Sequence, residues 1–192
     1  MNQIHLEMCS SAEYAEAVER WIIPWVLESV DLGDDVVEVG PGPGLTTDVL
    51  RRQLSRITAV EVDSELAAAL SKRLHGTNVD VIHANASQTN LPDDRFTGAI
   101  CLTMLHHVPT SAEQDAVLAE LWRVLRPEGL LVGQDSLDSD ELRALHVDDT
   151  YVPIDPTGLE GRLEHAGFTA VEVTTNEYAV RFRAKKDASF AP

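Results

Sequence analysis

Short apolar runs rich in valine and isoleucine alternate along the chain with segments whose apolar residues recur every three or four positions. The runs suit buried strands and the recurrences suit amphipathic helices. Strands are predicted over residues 36–39, 57–62, 79–83, 98–104, 130–134, 170–175 and 179–184. Between them, Leu66, Leu70 and Leu74 form one helical stripe, and Val117, Leu118, Leu121, Trp122 and Leu125 form another. Ser10-x-x-Glu13, Thr110-x-x-Glu113 and Thr157-x-x-Glu160 each fit a capping box, in which two side chains satisfy orphaned amide donors. Gly76, Gly129 and Gly167 follow helical runs, where a left-handed terminator is expected. A helix over residues 11–30, carrying Trp21, Ile22, Trp25 and Val26, is expected to pack on the sheet or cover the mouth of a site.

Strand alternating with helix implies a parallel sheet covered on both faces, an α/β architecture. The last two strands break the rhythm. Only Asn176-Glu177-Tyr178 separate them, too few residues for a parallel crossover, so they are expected to pair antiparallel. No linker or repeat divides the sequence, and one domain over residues 1–192 is expected. Within it, residues 1–33 form an N-terminal helical segment, 34–135 a cofactor-binding half, and 136–192 a substrate-side half with the strand hairpin.

Composition narrows the partners. The chain has 192 residues, 44% hydrophobic and 24% charged, ordinary values for a globular protein. No stretch approaches the ~20 apolar residues of a membrane span, and the first eleven residues lack the pattern of a secretory signal. Cys9 and Cys101 are far apart and in no metal-like spacing, which points to a reducing, cytoplasmic setting. The net charge of −17, from 32 acids against 15 bases, would repel a polyphosphate. Weak basic groups at Arg51-Arg52-Arg56 and Arg181-Arg183-Lys185-Lys186 read as solvated surface. Neither nucleic acid nor membrane is expected as a partner. The oligomeric state is left open, a homodimer included.

The stretch 36-VVEVGPGPG-44 ends an apolar strand in bare backbone. In a doubly wound sheet ligands bind at the carboxyl ends of strands, where the winding reverses. Gly40, Gly42 and Gly44 turn tightly and let a ligand lie against peptide groups, and Thr46 and Thr47 open the next helix. A dinucleotide site wants G-x-G-x-x-G, but here the third glycine comes one residue early. A P-loop would end in Gly-Lys-Ser/Thr, which is absent. A glycine-rich turn with no ligand is the alternative.

This G-x-G-x-G, preceded by Glu38, resembles the first motif of the class I S-adenosylmethionine-dependent methyltransferases, in their small-molecule type. The resemblance continues in order. The strand 57-ITAVEVD-63 ends in the acid expected to clasp the ribose hydroxyls, where Glu61 aligns best and Asp63 becomes the helix-start residue. The segment 83-HANASQTNLPDDRF-96 resembles the adenine-contacting stretch, with Ala84-Asn85-Ala86 where Gly-Asp-Ala is common. The fourth strand 98-GAICLTMLHHV-108, the turn 125-LRPEGLLVG-133 and the entry 161-GRLEHAGFTAVEV-173 also resemble the family, so that the match covers about residues 34–185. It implies a Rossmann-like, doubly wound sheet of seven strands, mostly parallel with an antiparallel last hairpin and helices on both faces. The implied cofactor is S-adenosyl-L-methionine, held by Glu38, Gly40, Pro41, Gly42, Gly44, Glu61, Val62, Asn85, Ala86 and Thr103.

Methyl transfer is an in-line displacement in which the protein positions the nucleophile and excludes water. His106 and His107, just past the fourth strand, are candidates for a general base or for acceptor contact; binding backbone groups is the bland reading. Asp135, Asp138, Asp140, Asp148, Asp149 and His146 form an acid-rich stretch, read as a solvated loop, because Met104 and Leu105 stand where a partner acid would be. No metal is therefore expected. Tyr151, Val152 and Ile154 are candidates for lining an acceptor pocket, with Trp21 and Trp25 as lids. A small-molecule methyl acceptor is the leading expectation. A ribosomal RNA adenine dimethylase is set aside because Leu102-Thr103-Met104-Leu105 replaces the Asn-Leu/Pro-Pro-Tyr/Phe motif. A nicotinamide-dependent oxidoreductase and a non-catalytic cofactor-binding member are the alternatives.

Overall fold

A computed structural model describes residues 2–188. The N-terminal part comprises α1 (Gln3–Cys9), α2 (Ala12–Ala17), a π-helical turn (Val18–Ile22) and α3 (Ile23–Val26). Then follow β1 (Asp35–Val39), α4 (Leu45–Leu50), β2 (Arg56–Glu61), α5 (Ser64–Leu74), β3 (Val79–His83), β4 (Phe96–Leu102) and a 3-10 turn (Leu105–His107). The chain continues through α6 (Ser111–Val124), β5 (Leu125–Ser136), α7 (Asp140–Leu145), α8 (Pro156–His165), β6 (Phe168–Thr175) and β7 (Ala179–Lys186). All seven strands expected from the apolar runs are present.

They form one sheet in the order β3-β2-β1-β4-β5-β7-β6. Pairing is parallel from β3 through β5 and antiparallel where β7 meets β5 and β6. Winding proceeds outward from β1 toward β3 and then reverses through β4, so the switch point lies between β1 and β4. Alternate residues of a strand face opposite sides, and the core divides accordingly. Val37, Val39 and Phe182 pack with Val117, Leu118 and Leu121 of α6 and with Leu159 and Leu163 of α8. Val36, Ile57 and Ile100 pack on the other face with Val26, Leu50, Leu70 and Leu74.

Local departures from the sequence pattern have local causes. The N-terminal region is not one helix over residues 11–30. Ser11, not Ser10, accepts from Tyr14 N as the cap of α2, while Ser10 closes α1 and its hydroxyl donates to Leu6 O. Pro24 has no N–H to give the preceding turn, and the chain carries its π-helical turn just before it. Thr110 caps α6 as expected. At α8 the cap is Asp155 rather than Thr157, because Pro156 has the fixed φ suited to the first helical position. Gly76 and Gly167 are left-handed as expected, but after α6 the left-handed residue is Glu128 (φ 69°), not Gly129. There α6 runs straight into β5, and a Cβ on Gly129 would lie 2.8 Å from Arg126 O.

Candidate functional site

A cavity of about 410 Å³ opens at the switch point, over the carboxyl ends of β1, β2 and β4. Of the residues expected to hold a cofactor, Gly40, Gly42, Glu61, Val62, Asn85, Ala86 and Thr103 line it. Glu38, Pro41 and Gly44 do not; they support the loop from behind. Thr47 donates to Glu38 Oε2 at 2.7 Å inside the buried seam between β1 and α4. Burial raises the Glu38 carboxyl to about 7, against the lowering effect of the Thr47 bond and with further raising by Asp48 and Glu61. Gly44 starts α4 with φ 87°, and a Cβ there would meet Leu70 Cδ1 at 2.4 Å.

The loop is shaped by its acid. Glu61 Oε2 accepts from Gly42 N at 2.9 Å, and its Oε1 accepts from Asp63 N at 2.9 Å. Asp63 is the N-cap of α5 and accepts from Glu65 N and Leu66 N. Gly40 has φ 68°, and a Cβ on it would fall 2.1 Å from Met104 Cγ. The bare loop backbone packs against Met104 there, and any side chain on Gly40 would collide with it at the cavity wall. A carboxylate beside it suits a polyhydroxylated ribose, so the residues present fit an adenosyl cofactor. Asn85 Oδ1 accepts from Ser87 N and from the Ser87 hydroxyl, both at 2.9 Å, closing a tight turn at the far wall.

Thr103 follows β4 in the left-handed region (φ 48°), a strained conformation for a β-branched residue. Its N–H donates to Gln134 O at 2.8 Å, and its hydroxyl lies 3.2 Å from the Tyr14 hydroxyl. Tyr14, on α2, therefore brings the N-terminal segment to the mouth, a role the sequence reading assigned to Trp21 and Trp25. Those two lie elsewhere. Trp21 is exposed, and Trp25 packs under the Arg181 guanidinium. Tyr151, Val152 and Ile154 do not line the cavity either. Val152 N donates to His106 O, Ile154 joins the core, and the Tyr151 ring stacks on His146.

His107 lines the cavity together with Val108, Pro109, Glu113 and Val117. His106 points into the protein instead, its Nδ1 2.5 Å from Asp135 Oδ1. Around this pair gather His5 from α1 and His146 from the end of α7. Burial, with repulsion from His106 and His5, pushes His107 down to about 3, and burial pushes His5 down to about 4. Both rings are thus neutral at pH 7. His5 carries no motif, and a single sequence gives no signal that would bring it here.

Residues 37–133 match the family described as "Methyltransferase domain", which covers half of the chain. A ribosomal RNA small subunit methyltransferase A of Dehalococcoides mccartyi is 28% identical over 118 residues, 60% of this chain and 40% of that protein. An rRNA adenine N-6-methyltransferase of Corynebacterium diphtheriae is 34% identical over 101 residues, 47% of this chain and 39% of that protein. The chain thus spans about two-fifths of the length of these relatives. Among solved structures, a SAM-dependent methyltransferase from Aquifex aeolicus superposes with a TM-score of 0.75 at 19% identity, over 96% of this chain and 98% of the other. With its glycine cradle at the switch point of this sheet, the chain belongs to the class I S-adenosylmethionine-dependent methyltransferases.

Proposed function

We propose that this enzyme methylates a small molecule that enters beside His107. The carrying observation is the character of the cavity wall: the charged residues lining it are Glu61, Asp63 and Glu113, with no lysine or arginine among the described residues there. The bound cofactor supplies an electrophilic methyl group on a sulfonium. The chain's own task is to hold that cofactor by the backbone at Gly40 and Gly42 and by Glu61 and to present an acceptor in line. His107, Val108 and Pro109 then exclude water from the far wall.

The surface agrees with this reading. Both basic groups that could attract a polyanion are engaged. Arg51, Arg52 and Arg56 pair with Asp48, Glu19 and Asp80, and Lys185 and Lys186 pair with Glu128 and Asp94. Arg181 and Arg183 donate to the carbonyls of Trp25 and Val26. Among the described residues no helix is long and apolar enough to cross a membrane.

The ribosomal RNA enzymes among the relatives give a second reading, an RNA adenine as acceptor. The acidic wall opposes it, since RNA binding rests on phosphate neutralisation. A methyl-transfer assay with labelled donor decides between them, run against a metabolite panel of phenols, amines and carboxylic acids and against ribosomal subunits. Turnover on the panel is expected. Transfer to ribosomal RNA with none to the panel overturns the small-molecule assignment.

A further inference from the structure

Beside the cofactor cavity, four histidines from three separate parts of the chain converge. One ring nitrogen from each of His5, His106, His107 and His146 lies within 4.8 Å of the others. Ring centroids are 4.2 Å apart for His106 and His107 and 4.5 Å for His5 and His146. Three of these histidines are buried and His107 is half-buried. His5 Nδ1, His106 Nε2, both nitrogens of His107, and His146 Nε2 are buried with no hydrogen-bond partner. An unpartnered buried polar atom is destabilising, and here such atoms are gathered in one place. Two ring nitrogens that both carry lone pairs cannot satisfy each other.

The tautomers sharpen the point. His146 Nδ1 lies 2.7 Å from Leu142 O, and a carbonyl only accepts, so Nδ1 carries the proton and Nε2 the lone pair. His106 Nδ1 meets the fully buried Asp135, whose Oδ2 also accepts from His106 N and whose Oδ1 accepts from Ser136 N. Its Nε2 is again the free lone pair. A carboxylate or carbonyl holding the remote N–H is the outer shell that orients metal-bound histidines.

We propose that His5, His106, His107 and His146 bind a divalent first-row transition ion of the zinc type. Imidazole donors select such ions over magnesium or calcium, which prefer oxygen ligands. Zinc–nitrogen bonds of about 2.0–2.1 Å require the four donors to draw inward from their present spacing. The charge of Asp135 and the overall charge of −17 offset the ion's two positive charges. The ion fastens the N-terminal segment beside the cavity. Helix α1 already rests there through Asn2, whose side chain donates to Leu145 O and Val147 O and whose N–H donates to Asp149. Since His107 also lines the cavity, the ion becomes part of the acceptor-side wall.

Protein expressed without a histidine tag, stripped by chelator and shown to be folded by circular dichroism, is titrated with Zn²⁺ by calorimetry and with Co²⁺ by visible absorption. Uptake of one equivalent is expected, with the intense ligand-field bands of tetrahedral cobalt and a higher Tm. His5→Ala and His146→Ala are each expected to weaken binding by at least the ~10–100-fold that follows loss of an outer-shell partner, and Asp135→Asn by about that range. His5 and His146 are buried but sit on α1 and at the end of α7, outside the strands and the two apolar clusters, so circular dichroism of these variants checks that the sheet stays folded. The proposal is overturned by a folded wild-type protein that takes up no stoichiometric ion, or by uptake unchanged in the His5→Ala/His146→Ala double variant. S-adenosylmethionine binding measured on the same samples keeps this outcome separate from the family assignment.

Discussion

Glu61 holds Gly42: its carboxylate accepts the Gly42 amide at 2.9 Å across the gap between β2 and the loop that follows β1. One side chain thus shapes the cradle and walls the cavity in which a ribose would lie. Glu61→Gln removes the charge and replaces one of its two acceptor oxygens by an NH2 donor, so either Gly42 N or Asp63 N loses a charge-assisted bond, and such bonds contribute about 1.5–3 kcal/mol. S-adenosylmethionine affinity is expected to fall about 10–100-fold and Tm by a few degrees, measured by calorimetry and thermal unfolding. Unchanged affinity removes Glu61 from the cofactor site.

Gly40→Ala attacks the same cradle sterically. The new Cβ would sit 2.1 Å from Met104 Cγ at a left-handed position, φ 68°. Both the clash with Met104, which lines the cavity, and the backbone strain displace the loop. The variant is expected to lose most cofactor binding, with a Tm reduced by a few degrees. Wild-type affinity would show that the loop backbone makes no close approach to the ligand.

Glu38 makes binding depend on pH. Burial raises its carboxyl to about 7, so below that value the free protein holds it protonated. Although Glu38 lies behind the loop and not in the cavity lining, a cationic ligand bound against the loop favours its carboxylate through the field, so the proton is expected to leave on binding. Affinity for S-adenosylmethionine is therefore expected to rise with pH up to about 7 and then level, with one proton released per ligand below that point. The stability contribution runs the opposite way. The unfolded chain ionises Glu38 near the ordinary carboxyl value of 4.5, so the folded state loses relative stability as pH climbs from there to about 7. Calorimetry in buffers of different ionisation enthalpy reads the proton count. A flat affinity profile in Glu38→Gln, with a sloping one in wild type, is the expected signature.

Gly133→Ala tests packing away from the cavity. A Cβ on Gly133 would lie 2.0 Å from Phe182 Cζ, at the contact between β5 and β7. Overpacking of this kind costs about 1–3 kcal/mol, which lowers Tm by several degrees in a chain of this size. Cofactor affinity is expected to hold, because Gly133 lies outside the cavity lining.

The apolar runs revealed the strands because central strands such as β1, β2 and β4, buried on both faces, are apolar over nearly their whole length, and the Asn176–Tyr178 loop of three residues permits only antiparallel pairing. The loop 36-VVEVGPGPG-44 was legible for a related reason: left-handed turns and close ligand approach demand glycine at stated positions. Asp63 as a helix cap followed from its place after Glu61, and the structure puts it there. Helix ends were less legible. Pro156 and Pro24 moved the caps and the helical register by one or two residues through backbone constraints that outweighed the Ser/Thr-x-x-Glu pattern.

By itself, then, the order of residues determined what short-range rules control: the alternation of elements, the glycine turn, and the acid at the end of β2. Long-range folding decided what depends on distance through space. It brought Tyr14 to Thr103, set Asp135 against His106, and carried His5 and His146 to one point although 141 positions separate them along the chain. Periodicity encodes which face of an element is buried, but it carries no information about which distant polar groups meet on that face, because any of several histidines satisfies the same local pattern.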